Sequence, residues 1–123
     1  MPKYLIEASY LSEGMKGLIK EGGTRRRQAV DALFASLGGT VEAFYYAFGE
    51  KDVVIIGELP DNATAAALAI RINAAGVTTV KMTVLLTAQQ IDEAVKKTSV
   101  YRPPGYEIAP EVAKWEGEGG HLA

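Results

Sequence analysis

Between Phe48 and Asp52 only three residues, Gly49-Glu50-Lys51, separate two apolar runs, TVEAFYYAF (40–48) and DVVIIGEL (52–59). Both runs are dense in aromatic and β-branched residues, and so short a link lets two such segments pair only as an antiparallel hairpin. Neither run alternates cleanly. The first places Phe44, Tyr46 and Phe48 on one face but Val41, Ala43, Tyr45 and Ala47 on the other; the second sets Val53 and Ile55 against Val54 and Ile56. A strand apolar on both faces belongs to a sheet covered on both faces. A chain built around this hairpin therefore needs one layer of helices and a second cover.

The flanking segments supply the helices. Residues 3–10 alternate, with Tyr4, Ile6, Ala8 and Tyr10 on one face and Lys3, Glu7 and Ser9 opposite, which predicts a strand. Ser12 is placed to cap a helix with Glu13 in its first turn, and Met15, Leu18 and Ile19 form its apolar stripe. Gly22 and Gly23 should interrupt it, Thr24 can cap a second stretch carrying Val30, Leu33, Phe34 and Leu37, and Gly38-Gly39 should end that stretch. After the hairpin, Asp61 is a good cap for ATAAALAIRINAA, Gly76 closes that helix, and VTTVKMTVLL (77–86) reads as the last strand. The order is β-α-β-β-α-β. With right-handed crossovers it gives an α+β fold, a four-stranded antiparallel sheet in the order 4-1-3-2 with its helices on one face. Thr87-Ala88-Gln89-Gln90 has capping-box spacing and opens a short helix through Lys97, and the prolines of YRPPGY (101–106) stop it. The domain is thus expected over residues 1–97, with a C-terminal arm over 98–123.

Composition narrows the function classes. The chain has no cysteine, which excludes disulfides, thiolate metal sites and a cysteine nucleophile, and a single histidine, His121, cannot build a multi-histidine site within one subunit. A net charge of −2 offers no overall field for nucleic acid, and no apolar run is long enough to suggest a membrane span. MPKYLIEASY lacks the features of a secretory leader. The expectations are a cytoplasmic protein, no cofactor, no metal, and no nucleic-acid or membrane partner.

The blocks MPKYLIEASYLSEGMKGLIKEGGTRRRQAV, SLGG, FYYAFGEKDVVII and ELPDNATAAALA, in that order, resemble the GYD domain family. The resemblance runs from residue 1 to about residue 95 and implies a ferredoxin-like fold related to the dimeric α+β barrels, without a settled activity. The signature Gly-Tyr-Asp before the third strand stands here as Gly49-Glu50-Lys51-Asp52. Gly49 and Asp52 carry over, and lysine occupies the place of the tyrosine, so no role requiring a phenol at that turn transfers to this chain.

Three groups of residues are candidates for ligand binding. Thr24, Arg25 and Arg26 follow two glycines at a helix start, where free N–H groups and guanidinium donors suit a carboxylate or phosphate; the alternative is a capped helix whose arginines pair with surface carboxylates. Tyr4 and Tyr45, with Tyr10 and Tyr46, can line a pocket or simply fill a core. Glu7 and Lys81 fall on strands that should be neighbours, either as a pair with altered acidity or as a cross-strand ion pair. No catalytic residue is assigned. Three functions fit: a homo-oligomeric module that binds or senses a small anionic or aromatic molecule, a cofactor-free enzyme of the oxygenase or isomerase kind, and an assembly protein. The second cover of the sheet is expected to come from another copy of the chain, making it at least a dimer. The competing cover is the segment from Tyr101 to Trp115.

Overall fold

A computed structural model of the chain describes residues 1–106. The expected elements form in the expected order, with the first crossover split in two. They are β1 (Lys3–Tyr10), α1 (Ser12–Glu21), α2 (Gly23–Ser36), β2 (Thr40–Tyr46), β3 (Val53–Glu58), α3 (Asn62–Ala75), β4 (Thr78–Leu85) and α4 (Ala88–Ala94). The strands make one antiparallel sheet in the order β2-β3-β1-β4. This is an α+β fold consistent with the ferredoxin-like expectation. The chain divides into two compact units, Met1–Leu86 and the segment from Thr87 onward. Trp115 and His121 lie outside the described residues.

Within the first unit the core lies between the sheet and α2 and α3. Tyr4, Ile6 and Ala8 from β1, Phe44 from β2 and Val53 and Ile55 from β3 are buried against Phe34, Ala65 and Leu68 of the helices. Gly57 continues this face, and the Phe34 ring takes the space a side chain there would need. The opposite face carries Leu5 beside Ile56 and Thr83, and Glu7 beside Val54 and Lys81, with Ala43 and Tyr45 completing the rows from β2. None of α1, α2 or α3 supplies a core residue to that face.

Local chemistry explains the boundaries. Asp61 caps α3, accepting from the Thr64 amide at 2.8 Å and the Thr64 hydroxyl at 2.7 Å, and these bonds hold its carboxyl below the usual range. Thr87 and Gln90 form the complete capping box at α4. Two expected caps are replaced. Extended geometry persists to Leu11, whose N–H donates to the Val77 carbonyl at 2.9 Å, so Ser12 lies inside α1 and Leu11 occupies the cap. Gly22, at φ 86° and ψ 165°, takes the cap two residues ahead of Thr24, and Thr24 falls in the first turn of α2. A bulge between Val41 and Ala43 also shifts β2 against β3. Val41 thereby stands opposite Gly57 and packs against the core instead of sharing the face of Ala43.

Candidate functional site

A cavity of about 230 Å³ opens between the helix-facing side of the sheet and helices α2 and α3. Its walls are almost entirely apolar: Ile6 and Ala8 from β1, Val30 and Leu33 from α2, Leu68 and Ile72 from α3. Ala8 stands between Val53 and Val80 on the neighbouring strands and contributes only a methyl group to the wall. Ala75 and Val77 are the exposed lining residues, and the Arg26 side chain is about one-third exposed. The cavity is open to solvent on one side, so it is an apolar pocket with an entrance and not a sealed void.

Polar groups gather at one end. Arg26 and Tyr10 both line the cavity. Arg26 pairs with Glu21 across the glycine break, Nη1 to Oε2 at 3.5 Å, which is the surface pairing weighed as the alternative for this arginine. Tyr46 anchors the same break by donating its hydroxyl to the Gly23 carbonyl at 2.8 Å. Tyr10 is fixed from below. Its N–H donates to Asp52 Oδ2 at 2.8 Å, and the Asp52 N–H donates to the Ala8 carbonyl at 2.9 Å. The aspartate of the hairpin turn is therefore a brace that ties the turn to the strand carrying Tyr10. Burial holds the Tyr10 and Tyr46 phenols above the ordinary tyrosine value; at Tyr10 the neighbouring Tyr46 adds to this, and at both the Arg26 charge opposes it. Both are neutral hydrogen-bonding groups near pH 7, unsuited to act as phenolate bases.

The remaining candidates are scattered. Thr24 and Arg25 are exposed on α2 and do not line the cavity. Tyr4 is buried, donates to Asn62 Oδ1 at 2.6 Å, and lines a second hollow of about 220 Å³ with Ala65, Ala66, Ala69, Met82 and Val84. Tyr45 lies on the opposite sheet face at 73% exposure. Glu7 and Lys81 are direct cross-strand neighbours there, as expected, yet neither belongs to an ion pair among the described residues; Lys3 instead pairs with Glu42 and with Glu58, the latter at 3.6 Å. Arg27, next to Arg26, reaches Asp31 at 3.6 Å and lies 5.4 Å over the Phe44 ring. Of the nine residues the sequence nominates, the structure brings Arg26 and Tyr10 to the cavity. Tyr10 stands out in sequence as a tyrosine on the core face of its strand, whereas the clamp of Asn73 on Val80, accepting its N–H at 2.9 Å, carries no sequence signal. Among the described residues no cluster of histidine, aspartate and glutamate could hold a metal ion, and no helix is long and apolar enough to cross a membrane.

A family model described as GYD domain matches residues 4–95. No curated protein and no solved structure matches the chain.

Proposed function

The chain belongs to the GYD domain family, and we propose that it is a homo-oligomeric module that binds a small, largely apolar molecule in the cavity between α2, α3 and the sheet. The carrying observation is the cavity itself, about 230 Å³ lined by apolar side chains with Arg26 and Tyr10 at one end. That exceeds the roughly 150 Å³ that suffices for benzene in an apolar protein cavity. Below about 300 Å³ it suits a molecule smaller than most drugs. Self-association accounts for the other sheet face. There Leu5, Val54, Ile56 and Ala43 form an apolar centre, flanked by the Lys3–Glu42–Glu58 group on one side and Glu7 and Lys81 on the other. An apolar patch rimmed by charges of both signs suits pairing with a second copy of itself.

The cavity reading is tested by filling it. Val30→Trp places an indole where the ligand would sit, at a position only partly buried, so the helix can hold it with modest strain. Small molecules extracted from the wild-type protein and from the folded variant, both purified from the native host, are compared by mass spectrometry. A molecule enriched in the wild type and lost from the variant is expected. Identical extracts would count against the cavity as the binding site.

A further inference from the structure

The polar end of the cavity is asymmetric in charge, and this selects among small apolar ligands. Arg26 is the cationic lining residue, and its guanidinium is held by Glu21 through one contact of 3.5 Å, with both side chains about one-third exposed. A single long contact leaves most of the five guanidinium donors unused. The Tyr10 phenol lines the same space and makes no hydrogen bond among the described residues, although its backbone N–H is fixed by Asp52. Arg27, the adjacent cation, is engaged by Asp31 and stacked over Phe44 and does not reach the cavity.

Resting on the cavity reading above, we infer that the ligand is a small apolar body ending in one carboxylate, which displaces Glu21 from Arg26 and accepts a hydrogen bond from the Tyr10 hydroxyl. A carboxylate matches the planar guanidinium fork and carries one negative charge, which Arg26 balances once Glu21 leaves. A phosphate dianion would bring a second charge close to Asp52, with no further cation lining the space among the described residues. The neutral state of the Tyr10 phenol, favoured by its burial, keeps it a donor to that carboxylate. Glu21 thus acts as a resident competitor, and the glycine break at Gly22 lets α1 carry it away without unwinding α2.

The test titrates the full chain with benzoate, benzamide, phenyl phosphate and toluene by calorimetry. Wild type is expected to bind benzoate at least about tenfold more tightly than benzamide, as suits a charge-assisted pair. Arg26→Gln should bring benzoate down to the level of benzamide, Glu21→Gln should tighten benzoate severalfold, and Lys16→Gln, a charge change elsewhere on α1, should preserve the preference. Toluene binding with equal affinities for benzoate and benzamide would overturn the carboxylate inference and leave the cavity reading standing. So would tighter binding of phenyl phosphate than benzoate. Failure of all four probes would overturn both.

Discussion

A methyl group built on Gly57 would meet the Phe34 ring at 2.6 Å, so the glycine and the phenylalanine are one packing unit shared by β3 and α2. Gly57→Ala should displace that ring and cost about 1–3 kcal/mol, read as a lower denaturant midpoint at unchanged slope. Tyr4→Phe strips the donor from Asn62 Oδ1 in a part-buried setting and should cost about 1 kcal/mol. The phenols also set an alkaline limit. Tyr4, Tyr10 and Tyr46 are all raised above the ordinary value of 10.0, burial being the first cause in each. The folded state then binds these protons more tightly than the unfolded chain. The stability they contribute is complete below pH 10 and is lost as pH rises through the folded values. Urea melts from about pH 9 to 11.5 should show that decline, and a shallower one in Tyr4→Phe. Residue type and face were legible in the sequence here: the alternation Tyr4, Ile6, Ala8, Tyr10 gives the core side of β1 directly. What each phenol bonds was not, because Asn62 lies 58 residues from Tyr4 and no local pattern links them.

The break between α1 and α2 is the element on which the site depends. Gly22 sits at φ 86°, a conformation a side chain resists, and it joins the helices bearing Glu21 and Arg26. Gly22→Ala should destabilise by more than about 1 kcal/mol. Gly17, in the interior of α1 with open space where a side chain would go, provides the contrast: Gly17→Ala should stabilise by about 0.5–1 kcal/mol. Thermal melts of the two variants should move in opposite directions. Both glycines of the break are visible in the sequence, and the interruption follows from them. Which of the two would bend was hidden, because Thr24 offered a cap that the geometry at Gly22 made unnecessary. The bulge at Val41–Ala43 was hidden for a different reason. One extra residue in a strand leaves the run of apolar letters unbroken, so a strict period of two carries Val41 to the face of Ala43, opposite to the one it occupies.

At the scale of the whole molecule the topology was legible, because periods of two and of 3.6 residues alternate along the chain and short links leave few ways to connect them. The cavity was not. It is bounded by β1, α2 and α3 together, and periodicity names the faces that meet without giving the space left between them. The second cover of the sheet yields to light scattering at micromolar concentration, on the full chain and on a chain ending at Lys97. At least a dimer is expected in both; a full-length 13.1 kDa monomer that aggregates when shortened would assign the cover to the C-terminal arm. The cavity is tested most directly by following the methyl signals of isoleucine, leucine and valine by NMR while toluene is added to the full chain. Ile6, Val30, Leu33, Ile55, Leu68 and Ile72 should shift together and saturate at one common affinity while the exposed Ile19 and Ile70 stay in place. Shifts confined to the exposed methyls, or no saturation at any site, would contradict it.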